Sequence, residues 1–322
     1  MATSGTYTLA LTANDIFDEA FDMLGQGVDG ETLSGNQFKR AKNSANLMLK
    51  EWQTQGIHLW SYTEGTLFLK VGQEKYNFRD STTHAANAFF ETTTTAATTA
   101  SALSFAVTSS DDIQKEDLIG IIQNDDDLFF TTVRRVSGLT VFIDDGITLA
   151  TLSGARVYNY RPSTSTSLAL TPISRVLDVR RREGTDYEIP IIFESREDYF
   201  NLPNKAQKGT PIQAYYERSD VAGQVGGVMY LWSPPSSSLP VINFTYERKL
   251  QIITASTETL DIPDFAQYAF TANLAEKLMM KYGGVSPQKA IEIKEKAQSS
   301  LADMLSYDQA VYPITLDMGM NR

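Results

Sequence analysis

The residue types that could carry out nucleophilic or metal chemistry are few in this chain of 322 residues. Cysteine is absent, which excludes thiol nucleophiles, disulfides and zinc–thiolate sites. The two histidines, His58 and His84, are not at the spacing of metal ligands and lie in no nucleophile–base arrangement. Since His58 lies between Trp52 and Trp60, where a helical pattern stops, we interpret it as a corner residue with a local hydrogen bond.

Ser286 and Lys289 form a Ser-x-x-Lys pair, which in some hydrolases is a nucleophile and its base. Here Pro287 follows the serine, an order typical of a helix start, so capping accounts for the pair. The acidic runs "NDDD" and "IDDG" lack the alternating oxygen ligands of a calcium loop and indicate hairpin turns. No phosphate-binding or dinucleotide glycine motif is present. We therefore predict a protein without catalytic activity, cofactor or bound metal.

The composition is that of a globular protein with a real core, since 42% of the residues are hydrophobic. No run of about eighteen apolar residues is present, so no membrane span is expected. The net charge of −11 disfavours a protein that wraps nucleic acid, but it is compatible with a surface that repels phosphates. These observations favour a structural or binding role.

Helical patterns occupy both ends of the chain. Thr12 and Ser34 are predicted N-caps of the first two helices, which Gly25 and Gly56 end. Ser34 and Gln37 also have the spacing of a capping box. The helices are predicted over residues 13–24, 34–56, 263–283 and 287–306.

Between these helical ends, residues 62–253 have the alternating pattern of short β-strands separated by turn residues. A Thr-rich run over residues 88–100 is interpreted as an extended linker or an edge strand. We predict an α+β protein, in which a four-helix domain is built from both chain ends and a central β-rich region contains an inserted small β-barrel or sandwich module. The predicted boundaries are 1–61 for the N-terminal helical part, 62–100 for a β hairpin and the Thr-rich linker, 101–160 for the inserted module, 161–255 for a β region, 256–306 for the C-terminal helical part and 307–322 for an extended C-terminal arm.

Acidic residues fall on one side of the first predicted helix. They form either a solvated face that meets basic residues of the second helix, or an acidic surface past which DNA slides without binding. The inserted module, in which acidic residues outnumber basic ones, is the alternative source of such a surface. The acidic residues are Asp15, Asp18, Glu19 and Asp22, and the basic residues are Lys39, Arg40 and Lys42.

Three further segments point to contacts with other chains. The third predicted helix is apolar on most of its circumference, so it is either central to a bundle or in contact with a neighbouring subunit. Three arginines flank a predicted hairpin turn. Their pattern is compatible with either intersubunit salt bridges or contacts with phosphate groups. The segment after residue 306 is apolar but has no helical period, and Pro313 would break a helix, so it is predicted to be an extended arm. The second apolar face of the third helix comprises Phe270, Leu274 and Leu278, and the arginines are Arg180, Arg181 and Arg182.

The order of these elements resembles that of the head-to-tail adaptor (connector) proteins of tailed bacteriophages, of the tail-accessory-factor type. The resemblance is one of order, spacing and texture, and it includes no catalytic motif. It covers both helical ends and the β region after residue 170, whereas the module at 101–160 departs from the smaller members of the family. The segments that carry it are "ANDIFDEAFDMLGQGVDGETLSGNQFKRAKNSANLMLKEWQTQGIHLW", "ISRVLDVRRREGTDYEIPIIFESREDYFNLPNKAQKGTPIQAYYER", "VMYLWSPP" and "TLDIPDFAQYAFTANLAEKLMMKYGG".

The resemblance implies a structural protein of the virion, made in the host cytoplasm, that forms a twelve-membered ring beneath the portal protein. Such a ring extends the channel for double-stranded DNA, helps to retain the packaged genome and docks the downstream tail or nozzle protein. It implies a portal-binding arm at Tyr307, Val311, Tyr312, Ile314, Leu316 and Met318, a subunit interface at Phe270, Leu274, Leu278, Arg180 and Arg182, and an acidic channel surface at Asp15, Asp18, Glu19 and Asp22.

Two other classes of function stay open on the sequence. One is a carbohydrate- or receptor-binding tail protein that acts through the inserted module, which binding to a glycan array would favour. The other is a hydrolase that uses Ser286 or a carboxylate pair, which a turnover assay would detect.

Overall fold

A computed structural model describes residues 9–26, 33–57, 61–78, 84–161, 170–184, 187–219 and 226–307. The protein is α+β, and its described residues form five helices and fourteen strands in two sheets. The chain divides into two compact units. The helical unit combines Met1–Ser61 with Leu250–Arg322, and the β unit is the continuous segment Tyr62–Lys249.

Four of the five helices belong to the helical unit. In chain order the helices are α1 (Ala13–Leu24), α2 (Gly35–Gln55), α3 (Arg196–Asn201), α4 (Asp264–Met279) and α5 (Pro287–Tyr307). Only α3, a short helix, lies in the β unit, and the sequence pattern did not predict it.

Local capping chemistry fixes the ends of α1 and α2. The side chain of Thr12 accepts a hydrogen bond from the backbone of Asp15 and the carboxylate of Asp15 bonds the backbone of Thr12, which makes a reciprocal capping box. Ser34 makes the same arrangement with Gln37. Gly25 and Gly56 end the two helices in the left-handed conformation, with φ of 72° and 83°. The predicted starts and ends of both helices are therefore confirmed.

The first residue of α4 is Asp264, and its last is Met279, so the helix ends before the predicted stop at Gly283. The backbone of Met280 is still helical, and the amides of Lys281 and Tyr282 bond back to Leu278 as the last turn tightens. The helix therefore ends without a glycine cap, and local hydrogen bonds of its last turn satisfy the carbonyl of Leu278.

The helical unit has one hydrophobic core, to which α1, α2, α4 and α5 all contribute. The rings of Trp52 on α2 and Phe270 on α4 are nearly perpendicular, at 89°, with ring centroids 5.6 Å apart. Phe21 on α1 makes a similar contact with Tyr282, at 5.2 Å. Met304 brings α5 into the same core. Residues from both ends of the chain are therefore needed to bury these side chains.

The strands of the β unit form an eight-stranded and a six-stranded sheet. They are β1 (Tyr62–Phe68), β2 (Lys75–Asn77), β3 (Ala85–Ala86), β4 (Phe90–Thr93), β5 (Ser104–Ala106), β6 (Leu118–Ile122), β7 (Leu128–Ser137), β8 (Thr140–Ile143), β9 (Arg156–Arg161), β10 (Ile173–Glu183), β11 (Tyr187–Phe193), β12 (Gln213–Glu217), β13 (Val228–Trp232) and β14 (Val241–Arg248).

The eight-stranded sheet has the order β2-β13-β12-β11-β10-β14-β1-β3. Its long central strands β10 and β14 are antiparallel, with bulges between Ile173 and Arg175 and between Val176 and Asp178. The pair β11–β12 is parallel, and the chain makes this crossover through α3. One face of the sheet buries its own apolar cluster, which includes Phe244.

The six-stranded sheet has the order β4-β9-β6-β7-β8-β5 and closes on itself. The amide of Thr95 donates to Ala106 and the amide of Thr108 donates to Thr93, so hydrogen bonds join its first and last strands. Of the Thr-rich run over residues 88–100, Phe90–Thr93 form a strand, β4, whereas the residues from 94 to 100 make only isolated bridges and turns. Closure removes the exposed edges that an open sheet would present.

An aromatic junction connects the two sheets. Phe68 of β1 contacts the rings of Tyr158 and Tyr160 of β9, each with a centroid distance of 5.1 Å. His84 stacks on Phe130 of β7, and its Nδ1 lies 2.7 Å from the hydroxyl of Tyr160. These five residues define the aromatic junction. Both sheets bury side chains in it, so the six-stranded sheet is anchored by packing as well as by the chain.

Candidate interaction surfaces

The acidic residues predicted to face DNA lie on the outside of α1. Asp15, Glu19 and Asp22 are exposed and Asp18 is half-buried. Among the described residues, no ion pair joins them to the basic residues of α2. Lys42 instead donates to the backbone carbonyl of Thr254. The proposed pairing between the two helices is therefore not observed there, and α1 presents a continuous acidic stripe of these four residues.

Two carboxyl groups of this acidic stripe have pKa values that shift in opposite directions. Hydrogen bonds from the side chain and backbone of Thr12 lower the pKa of Asp15. Partial burial, followed by the negative charges of Asp15 and Asp22, raises the pKa of Asp18. The side-chain amide of Asn14 donates to Asp18 at 2.6 Å. The stripe therefore has one carboxylate stabilised by a cap and another destabilised by its neighbours.

The acidic residues of the six-stranded sheet and its loops have two kinds of role. Asp117 is fully buried and accepts hydrogen bonds from the Gln114 amide and the Asn159 side chain, each at 2.8 Å. Asp127 accepts from the Val71 amide and the Ser238 hydroxyl and is likewise structural. The others are exposed: Asp111, Asp112, Glu116, Asp125, Asp126, Asp144 and Asp145.

The three arginines lie on β10, and the predicted hairpin is confirmed because Glu183 pairs with Tyr187 of β11. Arg180 forms ion pairs within the chain, the shortest being 2.8 Å to Glu64. Arg182 lies 3.9 Å from Glu91, with its guanidinium over a phenylalanine ring. The side chains of Arg180 and Arg182 are half-buried and make these contacts within the chain, and their intersubunit role stays a prediction.

The predicted subunit interface on α4 needs a correction. Phe270, Leu274 and Leu278 have no exposed surface and lie inside the core of the helical unit. They have no surface left to contact a neighbouring subunit, so they are core residues. The apolar residues that α4 does expose are elsewhere on the helix, and they include Phe265 (41% exposed) and Tyr268 (56% exposed). When a helix is apolar on all sides, the sequence pattern does not predict which of its residues remain exposed.

These exposed residues border a groove between α4 and α5, which has a volume of about 260 Å³. The rings of Phe265 and Tyr307 contact each other, with centroids 4.7 Å apart, and Tyr307 is 74% exposed. The α4–α5 groove is lined by Phe265, Tyr268, Ala269, Ser299, Ser300, Asp303, Met304 and Tyr307. Of the predicted portal-binding arm, only Tyr307 is described, as the last residue of α5. Val311, Tyr312, Ile314, Leu316 and Met318 lie outside the described residues.

A second exposed aromatic surface lies on the outer face of the eight-stranded sheet, and the sequence analysis missed it. Tyr215 of β12 and Tyr230 of β13 stack across neighbouring strands, with centroids 5.8 Å apart. Phe200 of α3 packs against both, and the ammonium of Lys205 lies 4.5 Å from its ring centroid. The sequence does contain a signal for α3, the N-cap residue Ser195. The helix is only six residues long, so its periodic pattern is too short to recognise.

Of the residues considered for chemistry, Ser286, Lys289 and His84 are described, and each makes a local contact. The amide of Lys289 donates to the Ser286 hydroxyl, as capping of α5 requires. His84 is engaged in the aromatic junction, and His58 lies outside the described residues. Among the described residues, no cluster of three or more acidic or histidine side chains could hold a metal ion. In the same part of the chain, no helix combines the length and the apolarity that crossing a membrane requires.

Comparisons with known proteins add little. No protein-family model matches the chain, and no match was found among curated protein sequences. Among solved structures, part of the chain is similar to the Gp54 tailspike of Acinetobacter baumannii bacteriophage AP22, in complex with A. baumannii capsular saccharide. The two are 23% identical, the match covers 22% of this chain and 14% of the tailspike chain, and the TM-score is 0.21. A likeness of this size carries no argument about fold or function.

Proposed function

We propose that this protein is a structural head-to-tail adaptor of a tailed bacteriophage virion and not an enzyme. Copies of the chain assemble into a twelve-membered ring beneath the portal protein, after synthesis in the host cytoplasm. The ring extends the channel for double-stranded DNA, helps to retain the packaged genome and docks the next tail component.

The observation that carries this proposal is the organisation of the chain. Both chain ends contribute helices to one core, whereas the continuous segment Tyr62–Lys249 folds as a separate β unit. This order of elements is the one on which the resemblance to the adaptor family rests. In the proposal α1, α2, α4 and α5 form the four-helix adaptor domain, and the β unit is an excursion from it.

Two surfaces support the details. The acidic stripe of α1 is accessible, and negative charge repels phosphates within about 8 Å at physiological salt, which favours sliding over binding. The exposed aromatic rings of Phe265, Tyr268 and Tyr307 give the helical unit an apolar surface of the kind that interfaces use. They replace the buried residues of α4 as the proposed contacts with neighbouring chains.

The test is assembly on the portal. The purified chain is expected to be monomeric by light scattering and to form rings, visible by electron microscopy, when mixed with its portal ring. A truncation after Tyr307 should leave the monomer folded and abolish ring formation, because it removes residues 308–322 and no described element. Ile291→Ala, a change at an exposed residue of α5, is the matched control and should assemble normally.

Either of two results would contradict the proposal. A stable dodecamer without portal would overturn templated assembly, and full rings from the truncated chain would show that the arm is dispensable. A chain that ignores the portal but binds specific glycans on an array would instead support the carbohydrate-binding tail protein.

A further inference from the structure

The α4–α5 groove combines an apolar rim with a polar wall. Phe265, Tyr268 and Tyr307 supply exposed aromatic rings, and Ala269 and Met304 form a buried apolar floor. Ser299, Ser300 and Asp303 line the α5 side. Rings and polar side chains in one groove suit an extended peptide, whose apolar side chains would pack on the rim. The hydroxyls of Ser299 and Ser300 donate to carbonyls of α5, so their oxygens and the Asp303 carboxylate would accept from the backbone amides of the peptide.

The groove also lies where the chain leaves the described structure. Tyr307 is both the last residue of α5 and part of the groove lining. The segment that follows it, residues 308–322, contains the apolar residues Val311, Tyr312, Ile314, Leu316, Met318 and Met320. Pro313 disfavours continuation of the helix through this segment, because proline lacks a backbone N–H and clashes with the preceding turn. An extended backbone accommodates proline. The segment therefore has the composition that the groove accepts, and it starts at the rim.

We propose that, in the unassembled protein, residues 308–322 bind the α4–α5 groove of their own chain. The contact shields the apolar arm until a partner displaces it. The docking itself does not depend on the proposed function, and only the release step rests on it, with the portal as the partner that competes for the arm.

Tethering favours the arm of the same chain over that of a second copy. A short linker holds a segment at millimolar effective concentration near its site, about a thousandfold above the concentration of a second copy in a micromolar solution. The reach is sufficient, since an extended chain spans about 3.3 Å per residue and the groove begins at Tyr307 itself. A ring of portal subunits reverses the balance because it presents many competing sites at once.

The first experiment uses the full chain and exploits its lack of cysteine. Spin labels on Gln298→Cys, beside the groove, and on Met318→Cys, in the arm, report the distance between the two. A narrow distribution of short distances is expected for the otherwise unchanged protein. Adding Tyr268→Ala should broaden it, whereas adding Ile291→Ala, at an exposed site outside the groove lining, should leave it narrow. A broad distribution in the unchanged protein would overturn the proposal.

The second experiment separates the groove from the tether. A labelled peptide of residues 308–322 is titrated onto the chain truncated after Tyr307, onto the same truncation with Tyr268→Ala, and onto the full chain. Binding is expected on the truncation, with at least about tenfold weaker binding on the other two, because one lacks a rim residue and the other holds its own arm. Equal binding to the truncated and the full chain, or no binding to either, would refute docking in the same chain.

The two proposals fail in different ways. If the arm leaves the groove free but the chain still forms rings on the portal, the docking is wrong and the adaptor function stands. If the distances and the peptide titration come out as expected but no ring forms, the adaptor function is wrong and the docking stands. Addition of portal to the doubly labelled full chain should broaden the distances if both are right.

Discussion

The helical unit and the β unit bury their apolar side chains in different ways. The helical unit has one core, to which residues between Ala13 and Ile57 and between Leu250 and Met304 contribute. The β unit has three clusters, one for each sheet and a third around the aromatic junction. A single core couples every helix to the others, whereas separate clusters let parts of a unit open on their own.

The two units are therefore expected to differ in how cooperatively they unfold. The core of the helical unit forms only when segments from both chain ends pack together, so we expect its helices to unfold cooperatively. In the β unit, the six-stranded sheet has its own core, which includes Ile121 and Val157, and the aromatic junction is one of its contacts with the eight-stranded sheet. A destabilising substitution should therefore affect all helices of the helical unit, whereas in the β unit its effect should be confined to the sheet that contains it.

The largest effect is expected from Phe270→Ala in α4. The ring is fully buried and contacts Trp52, so its loss removes buried apolar surface and leaves a cavity in the shared core. Such changes lower the free energy of unfolding by about 3–5 kcal/mol. Urea unfolding followed by tryptophan fluorescence should show it, and amides of α1, α2 and α5 should all exchange faster. The control is Ile291→Ala in α5, which is 54% exposed and outside the α4–α5 groove and should change stability by less than about 0.5 kcal/mol.

A smaller and more local effect is expected from Tyr160→Phe at the aromatic junction. The change keeps the ring and removes the hydroxyl that lies 2.7 Å from His84 Nδ1. Loss of one partner of a partly buried hydrogen bond lowers stability by about 1–3 kcal/mol. Amides of β6 and β9 should exchange faster while those of β10 and β14 keep their protection. Equal acceleration in both sheets would show that the β unit is as cooperative as the helical unit.

The third prediction concerns the cap of α2. Ser34→Ala removes an acceptor for the Gln37 amide and one half of the capping box, so it should lower the stability of the helical unit by about 1 kcal/mol. Ser34→Asp, which keeps a side-chain acceptor, should retain most of the stability. Ser306→Ala, at an exposed position of α5 outside the groove lining, is the control for the serine-to-alanine change itself. A loss no larger than that of Ser306→Ala would mean that tertiary packing alone sets the start of α2.

The same contrast explains what the sequence could and could not predict. The ends of α1 and α2 depend on residues within one turn, such as Thr12 with Asp15, so capping rules located them. The β segments were recognised from alternation, but their partners were not, because pairing such as β1 with β14 joins residues far apart in sequence. The role of β4 as a strand that closes the six-stranded sheet belongs to this class. The alternating pattern within a segment predicts a strand, but it does not predict which distant segment pairs with that strand.

The candidate interaction surfaces follow the same division. The acidic stripe of α1 was correctly expected to be accessible, because a helix with one apolar face leaves the other to solvent. The interface on α4 was wrong because a helix apolar all round gives no hint of which face its neighbours cover. Phe270 and Tyr268 differ by two positions, yet one is buried and the other exposed. The packing of α1, α2 and α5 against α4 separates them.

The smallest expected effect lies within the acidic stripe, where two carboxylates should respond to pH in opposite ways. Asp15 has a folded-state pKa below its usual value because of Thr12. Its ionised form therefore adds stability above the unfolded pKa of about 3.9, and this contribution is lost as the pH falls through the folded pKa. Asp15→Asn should lower stability at neutral pH, and its difference from the unchanged protein should vanish in acid.

Asp18 has the opposite sign. Its folded-state pKa is raised by burial and by Asp15 and Asp22, so ionisation lowers stability as the pH rises through that value. Asp18→Asn, which can still accept from Asn14, should therefore stabilise the protein at neutral pH by only a few tenths of a kcal/mol, the size of like-charge effects on an exposed helix face. The gain should shrink as the pH falls towards about 3.9 and at high salt. Thermal unfolding of both variants at several pH values tests this, and the same sign for the two would rule out the assigned causes. With the expected signs, the charge at Asp18 opposes folding, so stability alone does not account for a carboxylate at this position; in the proposed adaptor its charge would add to a surface that repels phosphates.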